Sequence, residues 1–214
     1  MSAQLKVALG VGLATLLILV GGIFFISRKS STPPQSLDTS LLIKNDSHKI
    51  ATDSATLTLV EFGDFQCPAC GAVHPLVKKA LTDYAGKINF VYRNFPLPQH
   101  ANAIIAAEAA DAAGAQGKYW EMYDKLYENQ TEWSEEKDPL PIFVNYSKDL
   151  GLDTKKFEAD IKDPKFKAFI EADKRDGNIL GVSSTPTFFL NGQKLEGLTS
   201  YSSFTSRLDA ALAK

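Results

Sequence analysis

The chain has 214 residues, 44% of them hydrophobic and 22% charged, which is the balance of a folded globular protein and not of a disordered or fibrous one. With 2 cysteines it is neither a disulfide-stapled scaffold nor a four-cysteine zinc module, so the spacing of the two thiols carries whatever chemistry they have. Net charge is -2, but Lys6, Arg28 and Lys29 all precede the first acidic residue, Asp38; the remainder carries about -5, which argues against general affinity for nucleic acid.

Val7 to Ile26 contains no charged side chain. At about 1.5 Å per residue this run matches the ~30 Å hydrocarbon core of a bilayer, so residues 1–29 are expected to form an uncleaved membrane anchor with one transmembrane helix. A cleavable signal peptide has a shorter apolar core and small residues where Arg28 and Lys29 stand. Basic residues on both sides of the run leave its orientation open. Ser30 to Ser36 is polar and contains proline, which suits a linker; residues 30–44 are read as linker and lead-in, with the folded part beginning near Leu37.

Thr56 to Phe62 is short, mostly apolar and β-prone, as expected of a central strand. Gly63-Asp64 ends it and Cys67-Pro68-Ala69-Cys70 follows. Val73, Leu76, Val77, Ala80 and Leu81 then recur at helical spacing up to Gly86. Ile88 to Phe95 is a second strand, closed by Pro96. Helices are predicted over Ala101 to Ala113 and Lys118 to Glu128, with Tyr119, Tyr123 and Leu126 as a core stripe. Another covers Leu140 to Leu150; Asp153 caps the next, and Asp163-Pro164 opens a helix running toward Leu180, weakened by Gly177. Thr187 to Leu190, Asn191-Gly192 and Gln193 to Glu196 form a hairpin signal, because Asn-Gly supplies the two positive φ values of a type I′ turn. Ser200 caps a last amphipathic helix carrying Phe204, Leu208 and Leu212. The order of elements is that of an α/β domain.

Cys67 and Cys70 fall at a helix start with Pro68 preset for the first turn, so unpaired N–H groups and the positive end of the helix dipole point toward the Cys67 sulfur. That environment favours thiolate, and a second thiol three residues on can close a captured disulfide into a ring. Two other readings stay open on the residues alone. A zinc site would need two more ligands from His48, His74 and His100, and a purely structural disulfide would close an unusually short loop. Copper handling fits poorly with 2 methionines, Met1 and Met122. Glu61 lies six residues before Cys67 in an apolar strand; buried, it could exchange a proton with the resolving cysteine, and exposed it would be an ordinary strand carboxylate. His48 falls near the start of the domain and His100 at a helix start, while His74, seven residues after Cys67, could lie on its face of the helix and touch its acidity.

Phe65-Gln66-Cys67-Pro68-Ala69-Cys70, Arg93-Asn94-Phe95-Pro96-Leu97, Gly117-Lys118-Tyr119-Trp120-Glu121 and Thr185-Pro186-Thr187-Phe188 together resemble the DsbA-like thiol–disulfide oxidoreductases of the thioredoxin superfamily, over roughly residues 45–214. The resemblance implies a thioredoxin-like fold with a helical insertion over about 100–180. It implies a cis Pro186 against the cysteine pair and a Thr185 backbone that receives a substrate strand beside Pro68 and Ala69. It also implies that Cys67 attacks, Cys70 resolves and Glu61 accepts the proton, with no cofactor beyond the redox-active pair. The expected partners are unfolded or reduced proteins outside the cytoplasm and a membrane redox partner, with oxidation favoured over reduction or isomerisation. Ala69 stands where the most oxidising members carry histidine, so the Cys67 pKa is expected at roughly 5 to 6.5, between the two extremes of the family.

Overall fold

A computed structural model describes residues 39–196, 198 and 200–213. The expected anchor over residues 1–29 lies outside them, and among the described residues no helix is long and apolar enough to cross a membrane. Strands β1 (His48–Ile50), β2 (Leu57–Gly63), β3 (Ile88–Asn94), β4 (Thr187–Leu190) and β5 (Gln193–Leu195) form a sheet in the order β1-β3-β2-β4-β5. β2 and β3 are parallel, and helix α1 (Pro68–Asp83) makes the crossover between them. The other neighbours pair antiparallel. Helices α2 (Ala103–Gly114), α3 (Tyr119–Glu128), α4 (Gln130–Trp133), α5 (Leu140–Asp149), α6 (Thr154–Ile161) and α7 (Pro164–Ile179) are inserted between β3 and β4, and α8 (Tyr201–Leu212) follows the hairpin.

The period-2 alternation of the strands divides the core into two layers. Leu57, Leu59, Phe90, Tyr92, Phe188 and Leu190 face the larger cluster, shared with α1, α8 and the insertion, and Tyr119, Tyr123 and Leu126 lie within it. Val60, Phe62, Val91 and Phe189 face a smaller cluster with Leu42, Phe95, Leu180 and Val182. The Asn191-Gly192 turn has the two positive φ values expected, 47° and 83°. Asn191 also ties the hairpin to β2, because its side chain accepts from Thr58 N–H at 2.8 Å. Asp153, Asp163 and Ser200 each cap the helix that follows them.

Three features depart from the sequence expectations. β1 was not expected: it has three residues, largely exposed, so no hydrophobic alternation marks it, and its pairing with β3 is what makes it a strand. The short α4 has too few residues to show a period. Gly177 does not weaken α7 but permits it to pack: a Cβ there would lie 2.7 Å from Phe95 and 3.1 Å from Phe62, so helix and sheet approach more closely than a side chain allows.

Arg93 is fully buried and points to the smaller layer. Its Nε donates to Asp173 at 2.7 Å and an Nη to Asp176 at 2.6 Å, while the other Nη donates to the carbonyls of Leu41 and Leu42 at 2.7 and 3.0 Å. All three nitrogens of the buried guanidinium are thus bonded, and two carboxylates meet its charge, as low dielectric demands. Arg93 also fastens the lead-in segment and α7 to the C-terminal end of β3.

Candidate active site

The register of the sheet assembles the site. Phe62 pairs with Thr187, so the end of β2, where the cysteine loop emerges, lies level with the residues just before β4. Those residues are Thr185 and Pro186, joined by a cis peptide. Cys67 stands at the N-cap of α1 in extended conformation, with Pro68 as the first helical residue and no side chain capping the turn. The first-turn N–H groups of Ala69 and Cys70 are therefore left to the Cys67 sulfur. The Cys67 thiol also donates to the Thr185 carbonyl at 3.5 Å.

Both cysteines are thiols in this structure. They differ in depth: Cys67 is 6% exposed and flanked by exposed Pro68 and Ala69, whereas Cys70 is 0% exposed. They differ more in acidity. The Cys70 thiol hydrogen-bonds to the Cys67 sulfur and, against the penalty of partial burial, brings the Cys67 pKa down to about 5, with Thr185 and the N–H groups of Cys70 and Ala69 adding to the effect. Cys70 moves the opposite way. Burial pushes its thiol well up, and the bond it gives to Cys67 and the charge of Glu61 push it further. One sulfur is thus an accessible thiolate at neutral pH, and the other is a buried thiol placed to meet it.

Glu61 shares the face of β2 that looks toward Cys70, two residues on from Leu59. It is 2% exposed, and burial raises its pKa to about 8 despite a bond from the Tyr123 hydroxyl at 3.5 Å. At neutral pH it is a protonated acid beside a buried thiol, the form needed to give or take a proton there. The Thr185 hydroxyl is buried without a hydrogen-bond partner in the dithiol state, and the nearby Cys67 thiolate is the group that can use it.

The structure brings in residues that the sequence reading passed over. Gln66 gives its Nε2 to the Ser134 carbonyl at 2.6 Å and accepts Asn102 N–H at 2.6 Å. Gln130 donates to the carbonyls of Phe65 and Cys67 at 2.6 and 3.0 Å, so the insertion grips the cysteine loop through neutral amides. Their sequence signal was no more than residue type: Gln66 is a loop amide and Gln130 a half-buried one at the start of α4. Cys67 precedes the helical rotation, so the seven-residue spacing does not align it with His74, which turns inward to Tyr127 and pairs with Asp124 at 2.8 Å. His100 pairs with Asp64 at 2.7 Å and His48 with Asp111 at 2.6 Å. Among the described residues no group of three or more His, Cys, Asp or Glu side chains is placed to hold a metal ion.

A family model described as thioredoxin matches residues 44–210. The chain belongs to the thioredoxin family. Among solved structures it is similar to a thioredoxin-like oxidoreductase from Silicibacter pomeroyi DSS-3, with TM-score 0.68 and 25% identity over 83% of this chain and 98% of that one. It also shares the fold of the thiol-disulfide exchange protein alpha-DsbA2 from Wolbachia pipientis, with TM-score 0.70 and 21% identity over 81% and 91%. This thioredoxin fold is of the DsbA-like kind, with its helical insertion between β3 and β4. Among curated proteins, a Na(+)/H(+) antiporter NhaA 1 of Salinispora arenicola is 38% identical over 160 residues, 74% of this chain and 24% of the relative. The chain spans about a quarter of the length of that relative, so the likeness is to one portion of it.

Proposed function

We propose that this thioredoxin-family chain is a thiol–disulfide oxidoreductase that donates the Cys67–Cys70 disulfide to proteins carrying reduced cysteines. The observation that carries this is the opposed state of the two sulfurs: Cys67 held as thiolate at the free end of α1 and Cys70 buried as thiol. Stabilising the thiolate stabilises the reduced protein, which makes its disulfide the better oxidant.

A substrate thiolate attacks the Cys67 sulfur, and the Cys67–Cys70 bond breaks with its electron pair going to Cys70. Glu61, protonated at neutral pH, is the acid that gives Cys70 its proton. A second substrate thiolate then attacks the substrate sulfur of the mixed disulfide, and Cys67 leaves as thiolate, needing no proton. The substrate has lost two electrons and the protein has gained them; a membrane redox partner removes them to restore the disulfide. Pro68, Ala69 and the Thr185 backbone form the surface on which an unfolded substrate strand would lie. This role requires an oxidising compartment, so we place the domain outside the cytoplasm, tethered through Val7 to Ile26.

The test is the reduction potential, measured by equilibration with glutathione. The expected value lies in the upper half of the interval between thioredoxin, about -270 mV, and DsbA, about -120 mV. A value at or below about -270 mV would overturn the oxidant role. One observation favours that second reading, a reductase or isomerase: exposed Ala69 brings no imidazole to hold the Cys67 thiolate. Labelling of Cys67 in intact cells by a membrane-impermeant thiol reagent, after brief treatment with a membrane-impermeant reductant to open the disulfide, tests the location, and absence of labelling in intact cells with full labelling after lysis would exclude it.

A further inference from the structure

Four buried tyrosines lie in the larger core cluster, on the side of the sheet that Glu61 faces: Tyr92 on β3, and Tyr119, Tyr123 and Tyr127 on α3. Their hydroxyls are used differently. Tyr92 and Tyr127 bond to each other at 2.8 Å, and the Tyr119 hydroxyl has no partner among the described residues. The Tyr123 hydroxyl donates to Glu61 Oε2 at 3.5 Å. Phe65 at 5.8 Å, Tyr92 at 5.0 Å and Trp120 at 5.3 Å brace the Tyr123 ring, and the Tyr92–Tyr127 bond fixes α3 to β3 one turn further along. The sheet leaves room for this arrangement, because a Cβ at Gly63 would lie 2.7 Å from the Tyr92 hydroxyl. At 3.5 Å the bond to Glu61 is longer than an ordinary O–H···O bond. Such a bond is shorter and stronger to a carboxylate, so it gains most when Glu61 is ionised.

We propose that Tyr123 is a positioning residue for proton exchange at Glu61, its hydroxyl holding Oε2 so that the buried carboxylate can form and Oε1 is left to carry the proton. This assignment rests on the thiol–disulfide reading above and adds the group that supports its buried acid. When a mixed disulfide at Cys67 closes, the Cys70 S–H bond breaks, its proton goes to Glu61, and its electron pair forms the Cys67–Cys70 bond. The departing sulfur leaves with the electron pair of the bond that breaks and takes a proton from water. In the reverse direction Cys70 leaves, takes the proton from Glu61, and a carboxylate remains. Both directions pass through a carboxylate that burial opposes, and a donor already in place offsets part of that penalty. The other titratable groups around Glu61 are Cys67 and Cys70 at the start of α1, Tyr92 of β3, and Tyr119 and Tyr127 of α3. β4 sets Phe188 opposite Glu61, and His74 of α1, paired with Asp124, packs on the Tyr123 ring at 5.3 Å. Burial holds all four tyrosines well above the usual phenol range, so they stay neutral while Glu61 titrates.

Removing a donor to the carboxylate makes Glu61 harder to ionise, so less base is present at neutral pH and closure slows. The experiment mixes the reduced full chain with oxidised glutathione over a series of pH values and quenches in acid. Mass spectrometry then follows the glutathione adduct at Cys67 and the internal disulfide that replaces it. For Tyr123→Phe, which keeps the ring, we expect adduct formation within about twofold of wild type, because that step does not pass through Glu61. The pH profile of closure should move upward by about one unit and closure at neutral pH should be about fivefold slower, the loss expected for one hydrogen bond to a charged group. The Glu61→Gln background separates this from a structural effect: with no carboxylate to hold, adding Tyr123→Phe should change closure by less than about twofold. An unmoved profile, or the same slowing in the Glu61→Gln background, overturns the assignment. If Tyr123→Phe does not fold, infrared difference spectra of the reduced wild-type chain across the Glu61 titration keep the test available. A tyrosine C–O band should shift as the carboxylic acid band disappears, and tyrosine bands that stay in place overturn the assignment. A wild-type chain that forms no adduct at Cys67 is a distinct failure, that of the thiol–disulfide reading, and takes this assignment with it.

Discussion

The Gln130 side chain lies 3.0 Å from the Cys67 carbonyl and donates to it, so the helical insertion is bonded directly to the residue that carries the more acidic sulfur. The same nitrogen reaches the Phe65 carbonyl at 2.6 Å. The insertion is thus part of the framework of the cysteine loop and more than a lid beside it.

Gln130→Ala leaves the Phe65 carbonyl without that donor, while the Cys67 carbonyl keeps the Gly71 N–H at 3.1 Å. The expected loss is about 1–2 kcal/mol, the cost of one unsatisfied, partly buried carbonyl. Denaturant unfolding of the reduced protein measures it, and an unchanged midpoint would show that the loop is held without Gln130.

Glu61 and Cys67 give opposite pH dependences to the reduced protein. Between pH 4.5 and about 8 the folded chain keeps a proton on Glu61 that the unfolded chain has lost, so this group lowers stability as pH rises. Cys67, down from 9.0 to about 5, has already lost in the folded chain a proton that the unfolded chain keeps, so it raises stability over much of the same range. Glu61→Gln should therefore gain stability relative to wild type, on the order of 2 kcal/mol between pH 6 and 8, and Cys67→Ser should lose ground over that window. Parallel unfolding curves for wild type and Glu61→Gln at the two pH values would remove Glu61 from this role.

Thr185→Val exchanges a buried hydroxyl that has no partner in the dithiol state for a methyl group. Stability of the reduced protein at low pH, where Cys67 is a thiol, should hold or rise slightly. The Cys67 pKa should increase, because the hydroxyl helps to hold the thiolate. Ultraviolet thiolate absorbance against pH reads this directly, and an unshifted titration would exclude the hydroxyl from the site.

Arg93→Leu strands Asp173, whose burial already raises it to about 6 with Arg93 opposing the rise. The expected cost is about 3–5 kcal/mol, that of breaking a buried pair from one side. Arg93→Leu combined with Asp173→Asn should recover part of it, since no buried charge is then left unpaired. Equal destabilisation by the single and double variants would contradict the pairing.

The parts of the protein legible in its sequence were those written in local pattern. The hairpin followed from Asn191-Gly192, the strand containing Glu61 from a β-branched apolar run, and the acidic sulfur from Cys67 preceding Pro68 at a helix start. Cis Pro186 and the helical insertion came through resemblance to the DsbA-like proteins, because no physical signal in Thr185-Pro186 distinguishes one isomer from the other. What stayed hidden was the support. Asp64 bonds to His100 36 positions away, and Gln130 bonds to Cys67 across 63 positions. Single polar residues carry no periodicity, and their partners are fixed only when the two loops are brought together. Gly177 was misread for a related reason: the Phe95 and Phe62 rings that require it lie on other elements.

The carbonyls of Leu41 and Leu42 are both gripped by Arg93 from the C-terminal end of β3. The same guanidinium holds Asp173 and Asp176 of α7, so the lead-in segment, the sheet and the last helix of the insertion share one buried cation. Arg93 sits opposite Phe62 in the sheet, one residue before β2 gives way to the cysteine loop, so the lead-in segment is moored at the foundation of the site and its loss would be felt there.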